Sequence, residues 1–521
     1  MTVRRPTGEE LADLNRRLGL GIADDAIDEF VGAVDDALEA HDWLDDIDQQ
    51  KVPAHEDRAP GHRPRDADNA LGAWYWRTSI SRDVEGPLAG RTVVVKDNVC
   101  VAGMPMMNGS VLLEGYVPEQ DATVVQRVLD AGATVVGKAV CESLCYSGGS
   151  HTSDTGPVRN PYDLTRSSGG SSSGCAALLA IGEVDLAIGG DQGGSIRGPS
   201  SWSGVFGLKP TYGLVPYTGA FPLEMTIDHL GPMARTAADI ALLLDVLAGP
   251  DGLDPRQTTD SPPPKAAEAL SRGAAGLRFG VLAEGFGWDV SEPDVENIVR
   301  EAARQLGRLG RGVREVSVPW HRHGGKLTHA IAAEGSTALL VHGNGLGTNW
   351  KGRYLASMGR AFMVGRRSRP ERLPPMVKLQ ALVGQWVLET CHGRHYSTAQ
   401  NAARRLACAY DEALQAVDLL VMPTTPLKAT PLPPPGISEP ESTRVGHQMG
   451  ANTAPFNVTG HPAISVPCAN SEGLPVGMML VGRRGEDATV IRAAHGFETE
   501  VFRLAPPAGD HSRLGERAEV G

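Results

Sequence analysis

Two glycine-flanked serine clusters, with room between them for one helix and one strand, constrain this chain more than any other feature. The stretch opens with Gly169-Gly170-Ser171-Ser172-Ser173-Gly174. It closes with Gly189-Gly190-Asp191-Gln192-Gly193-Gly194-Ser195-Ile196-Arg197-Gly198-Pro199. Between the clusters lie the apolar run Ala176 to Ile181 and the strand-like Val184-Asp185-Leu186-Ala187-Ile188. Gly/Ser-rich segments ordinarily act as linkers, but a linker does not enclose apolar segments of helix and strand length. Glycine permits positive φ and close backbone approach to a ligand. Successive N–H groups in such turns form an anion-binding concavity. A serine in that setting has the surroundings of a nucleophile beside an oxyanion hole. Neither the Walker pattern nor the strand–GxGxxG–helix fingerprint is present.

These residues identify a resemblance. Gly-Gly-Ser-Ser, a fixed gap, then Asp-x-Gly-Gly-Ser-Ile-Arg-x-Pro is similar to the signature of the amidase signature family. Upstream, Val93-Val94-Val95-Lys96-Asp97-Asn98 has the form of the family's strand-end Lys-Asp. Further matches are Gly137-Lys138, Gly207-Leu208-Lys209-Pro210-Thr211, Gly460 to Pro467 and Gly473 to Gly477. The resemblance implies a Ser–cis-Ser–Lys triad: Ser195 as nucleophile, Ser171 as bridging serine after a cis peptide from Gly170, Lys96 as base. A lysine base must be neutral, and burial disfavours its charged form. Backbone N–H groups of Gln192, Gly193, Gly194 and Ser195 are the oxyanion-hole candidates. Asp191 and Ser172 are expected to support the loops, and Arg197 to tie its loop down through carboxylate or carbonyl contacts. Tyr146, in the segment Cys141 to Ser147, is a candidate pocket wall; a half-buried core tyrosine is the equal alternative.

Composition narrows the partners. A net charge of −13 argues against nucleic acid or an anionic membrane. The seven cysteines show no framework spacing and no CxxC, so buried structural thiols are expected, Cys141 and Cys145 included. The N-terminus lacks an apolar signal-peptide core and no apolar run reaches membrane-spanning length, so a cytoplasmic location is expected. Histidines 151, 229, 447 and 461 lack a metal-ligand pattern; they read as structural, with no metal or cofactor expected.

In chain order, Leu11, Leu14 and Leu18, then Ile27, Phe30, Val31, Val34 and Leu38, mark two amphipathic helices within residues 1 to 50. Their stripes need a partner face, and a homodimer is the expected solution. Residues 49–69 read as a linker or extended crossing segment, with Trp74-Tyr75-Trp76 docking it onto the core. From about residue 90, strands (91–95, 134–136, 277–282, 313–318, 419–422) alternate with apolar helices (122–131, 239–247, 295–309, 397–417). That alternation predicts an α/β fold with a buried sheet covered by helices. Residues 250–264 read as an exposed connection and 320–395 as less regular and partly helical. The predicted division is an N-terminal helical domain and linker (1–89), a core (90–299 and 406–521) and a small inserted domain (300–405) over the cleft.

Ala73-Trp74-Tyr75, Met106 to Ser110, Gln192, Gly213 to Pro222 and Ala451 to Phe456 are most similar to the nitrile-hydratase-associated enantioselective amidases. Two positions depart from the family pattern: Ser173 replaces a common glycine, and Gly198 a bulkier residue. The resemblance implies hydrolysis of small aliphatic or aromatic carboxamides to acid and ammonia through an acyl-enzyme. Two alternatives stand beside it. One is the glutaminase subunit of a tRNA-dependent amidotransferase, and the other is a non-catalytic binding protein on the same scaffold.

Overall fold

The computed structural model describes residues 3–48, 58–258 and 263–507. The chain divides into two compact units, one ending at residue 56 and the other beginning at residue 57. In the first, the helix Gly8–Leu18 opens with a capping box: the Glu10 N–H donates to Thr7 Oγ1 and the Thr7 N–H donates to Glu10 Oε2. It closes at Gly19, whose φ of 62° suits glycine. The helix Ile27–Asp48 follows. Leu18, Phe30 and Trp43 remain exposed.

Among the described residues the second unit is built on thirteen strands. In order they are β1 (Trp74–Ile80), β2 (Thr92–Lys96), β3 (Thr134–Ala139), β4 (Arg159–Asn160), β5 (Asp163–Ser167), β6 (Leu186–Asp191) and β7 (Phe206–Lys209). Then come β8 (His229–Ala234), β9 (Phe279–Leu282), β10 (Val313–Val316), β11 (Leu419–Pro423), β12 (Ala463–Ser471) and β13 (Leu474–Val481). Apart from the small β4–β5 ribbon they form one mixed sheet, ordered β1-β3-β2-β6-β8-β7-β12-β13-β11-β9-β10. Central strands buried on both faces are near-continuous in apolar residues. Thus Val93 and Val95 pack in the core with the helices Thr123–Asp130 and Ala237–Leu247. Val94 points into the opposite core with the helix Ser173–Ala180. That helix is buried along its whole length, so its sequence is apolar or small all round.

Several expectations are corrected. Trp74-Tyr75-Trp76 begins edge strand β1 rather than merely anchoring a linker. The division at 56/57 lies within the expected N-terminal helical domain and linker (1–89). Of the expected linker, residues 49–57 lie outside the described residues; His62 forms a bridge with Arg77 of β1. Segment 300–405 supplies β10 to the sheet and is grouped with the core in the second compact unit. Residues 320–395, expected to be partly helical, carry the helices Gly324–Ser336, Ala356–Ser368 and Pro375–Cys391. Within 250–258, Asp254 is buried and paired with Arg256 at 2.6 Å rather than exposed; 259–262 lie outside the described residues, as do 508–521 of the expected core. Among the described residues no helix is long and apolar enough to cross a membrane.

Candidate active site

β2 and β6 run parallel as neighbours, with Val93, Val94 and Val95 opposite Leu186, Ala187 and Ile188. Their C-terminal ends therefore open at the same edge, where α/β sheets place their ligands. Lys96 ends β2 there and is fully buried. Its Nζ donates to Ser171 Oγ at 2.7 Å and to the Gly190 carbonyl at 3.1 Å. The Gly170–Ser171 peptide is cis. Ser172 Oγ donates to the Gly190 carbonyl at 3.1 Å, and the Ser172 N–H donates to the Ser195 carbonyl at 3.1 Å. Both serine clusters are thus stitched to one strand end and to each other. Asp97, next to Lys96, pairs with buried Lys138 at 3.0 Å, which gives Gly137-Lys138 a partner.

The second loop is wound around a carboxylate. Asp191 Oδ1 accepts from the Gly194 N–H at 2.8 Å, and Oδ2 accepts from the Ile196 N–H at 3.0 Å. The fully buried Arg197 guanidinium donates to both Asp191 oxygens, to the Thr453 carbonyl at 2.9 Å and to Asn457 Oδ1 at 2.7 Å. Burial alone would raise the Asp191 carboxyl. The Arg197 charge and hydrogen bonds, with those from Asn457 and the backbone, hold it well below the usual carboxylate range. Gly194 is required twice over: its φ is +136°, and a Cβ there would sit 2.2 Å from Thr453 Oγ1.

Ser195 is half-buried and faces a cavity of about 450 Å³, while Ser171 and Lys96 are inaccessible. Cys145, Tyr146, Gly170, Gln192, Gly193 and Gly194 share this wall. Ala332, Met376 and Gln380, from the helices of segment 300–405, line the same cavity. No Asp, Glu, Lys or Arg is among the described lining residues. The Gly194 N–H is spent on Asp191 and drops out as an oxyanion donor. Among the described residues the N–H groups of Gln192, Gly193 and Ser195 have no acceptor and remain candidates.

Tyr146 is buried in the cavity wall with an unpartnered hydroxyl, and burial pushes its phenol up. Cys145 is more than a buried structural thiol, since it borders both the cavity and the Lys96–Ser171 pair. Its thiol donates to Asn108 Oδ1 at 3.3 Å. Burial alone would raise that thiol; the adjoining Cys141, Lys96 and Ser171 draw it down instead. His447 lines the cavity as well, whereas His151, His229 and His461 are held by hydrogen bonds to Ser442, Ile227 and Asp411. Sequence reading missed Thr453, Asn457 and Tyr217; the first lies within the Ala451–Phe456 match and the second directly after it. The departure at Gly198 is filled by Met449, whose sulfur would lie 2.7 Å from a Cβ there. Ser173 leaves its hydroxyl buried without a partner.

The Amidase family model matches residues 68–491. The chain is 45% identical over 512 residues, 98% of each sequence, to an "Enantioselective amidase" of Rhodococcus rhodochrous. It is 37% identical over 433 residues to one subunit of the glutamyl-tRNA(Gln) amidotransferase of Methanosarcina mazei, covering 81% of this chain and 87% of that one. Among solved structures, native peptide amidase from Stenotrophomonas maltophilia is similar with a TM-score of 0.67 at 31% identity, covering 82% of this chain and 85% of that one. With this sheet edge, these serine loops and this extent of similarity, the chain belongs to the amidase family.

Proposed function

We propose that this enzyme hydrolyses the C–N bond of small aliphatic or aromatic primary carboxamides to carboxylic acid and ammonia through an acyl-enzyme on Ser195. The observation that carries the reading is the buried 2.7 Å contact from Lys96 Nζ to Ser171 Oγ, tied to a cavity-facing Ser195. Ser195 Oγ attacks the carbonyl carbon and passes its proton to Ser171, whose own proton goes to neutral Lys96. The free N–H groups of Gln192, Gly193 and Ser195 receive the oxyanion. The proton returns by the same route to the amide nitrogen, the C–N bond breaks and ammonia leaves. Water then attacks the acyl carbon and releases the acid.

The uncharged cavity wall favours an apolar acyl group over glutamine, whose α-ammonium and α-carboxylate would lose solvation there without a partner. Ammonia release measured over aliphatic, aromatic, peptide and anilide amides and glutamine tests this. Turnover of glutamine alone would overturn it in favour of the amidotransferase reading. The exposed Leu18, Phe30 and Trp43 support a homodimer formed through the N-terminal unit in a cytoplasmic protein. Solution mass of the full chain and of a chain lacking residues 1–56 tests the dimer, which a monomeric full chain would exclude.

A further inference from the structure

Gln192 lies one residue past β6 and three before Ser195, with its side chain only 4% exposed. Its Nε2 donates to the Tyr217 hydroxyl at 3.1 Å. That hydroxyl has a single proton, and it is donated to the Phe221 carbonyl at 3.1 Å. Burial pushes the Tyr217 phenol well above its usual value, so the proton stays on. Toward Gln192, Tyr217 can therefore only accept. This decides which way the Gln192 carboxamide faces: its NH2 meets Tyr217, and its Oε1 is turned away.

Oε1 is buried and has no hydrogen-bond partner. A buried carbonyl oxygen left without a donor is costly, and native structures seldom leave one unsatisfied. Here it sits on a residue that lines the same cavity as Ser195. A bound primary carboxamide brings matching chemistry. Its carbonyl oxygen is taken by the backbone N–H groups, and its NH2 carries two donors that need acceptors.

We propose that Gln192 Oε1 accepts a hydrogen bond from the N–H of the substrate carboxamide, making Gln192 a specificity-determining residue that favours amides over esters of the same acid. This rests on the proposed acyl-enzyme at Ser195. An ester offers no N–H, so it leaves Oε1 as unsatisfied as in the free enzyme. A site built to pair with a substrate N–H discriminates strongly against an analogue that lacks it. Holding one N–H also fixes the nitrogen's orientation as it pyramidalises, leaving its lone pair for the incoming proton.

The test compares benzamide with p-nitrophenyl benzoate on the full chain, since both yield the same benzoyl-enzyme. Gln192→Met removes the acceptor at similar length and keeps the backbone N–H. The expected result is a fall of about 10–100-fold in the amide-to-ester ratio of kcat/KM, as for one lost hydrogen bond to a buried group. Tyr217→Phe removes the anchor that orients Gln192 and is expected to lower the ratio in the same direction by less. It carries the test if Gln192→Met does not fold. Equal losses on amide and ester, or an unchanged ratio, would overturn the proposal. A wild-type p-nitrophenol burst, with the benzoyl group mapped to Ser195, checks the acyl-enzyme separately. An adduct mapped elsewhere would sink that reading instead.

Discussion

Ser195 and Met376 face the same cavity from walls of different construction. Around Ser195 the wall is polar and dense. Asp191 gathers backbone N–H groups, Arg197 is fully buried, and Gly194 has no room for a side chain. The part around Met376 is built on helices: Gly324–Ser336 contributes Ala332 beside Thr328 and His329, and Pro375–Cys391 contributes Met376 and Gln380. Polar networks of the first kind tolerate no partial loss, because every removed partner leaves a buried group unpaired. Apolar walls of the second kind accept exchange of volume for volume. The proposed chemistry therefore rests on the polar residues of the cavity, and the apolar ones are where a change of volume is tolerated.

The largest effects belong to the polar wall. Ser195→Ala is expected to abolish turnover and labelling by serine-directed reagents, whereas Ser171→Ala slows turnover and keeps some labelling. An adduct on Ser171 in the wild type would reverse these roles. Lys96→Arg is expected to cost about 10²–10⁴-fold in kcat/KM, much as Lys96→Ala does, since arginine cannot act as a base. A folded Lys96→Arg enzyme at near-wild-type rate would remove lysine from the triad.

Arg197→Met comes next, and it acts on stability. It strands the buried Asp191 carboxylate, for which a loss of about 3–5 kcal/mol is expected in denaturant melts. The exposed pair Arg444–Glu441 provides the contrast: solvent screens it, and Arg444→Ala is expected to shift the stability far less than Arg197→Met. Similar losses from both would contradict the distinction between buried clamp and solvated surface.

On the apolar wall, Ala332→Leu fills part of the cavity. Loss of fit for a bulky aromatic amide is expected to be roughly 10–100-fold in kcat/KM, with little change for the smallest amides. Parallel loss on both would place Ala332 outside the acyl-binding wall.

The last expectation is a pH dependence of stability. His321 is buried between the Tyr410 hydroxyl at 2.6 Å and Asn452 Oδ1 at 3.1 Å. Burial lowers it from 6.5 to about 4, against a smaller opposing pull from Asn452. Between those values the unfolded chain binds a proton that the folded chain does not, so stability rises with pH. The contribution is fully present above about 6.5 and is lost as pH falls through about 4. His321→Gln is expected to flatten that part of the pH–stability curve; an unchanged slope would show that other groups set it.

How much is legible in the sequence depends on where each residue's partners lie. The strand ending at Lys96, the helix after Ser172 and the turn before Ser195 are legible because glycine positions and apolar spacing act over a few residues. Edge strand β1 resembles an anchor in sequence because an edge strand shows a weaker apolar pattern than a central one. The helices of 320–395 look irregular in sequence because they shield a cavity and each other, which blurs the stripe of a simple amphipathic helix. Nothing in the spacing of Cys141 and Cys145 signals that Cys145 borders the cavity.

The sequence by itself determined the local chemistry: a lysine at a strand end, two serine loops, and an Asp–Arg pair six residues apart that can close one of them. Tertiary structure decided which groups remain free. Thr453 and Asn457 reach Arg197 and Asp191 across more than 250 positions. Tyr217 turns the Gln192 carbonyl away from itself, and Asp191 takes the Gly194 N–H out of the oxyanion set. The physical reason is that turns and strand ends follow from backbone sterics within a few residues. Whether a buried donor or acceptor is spent or available depends on every group that folding brings within about 3 Å of it.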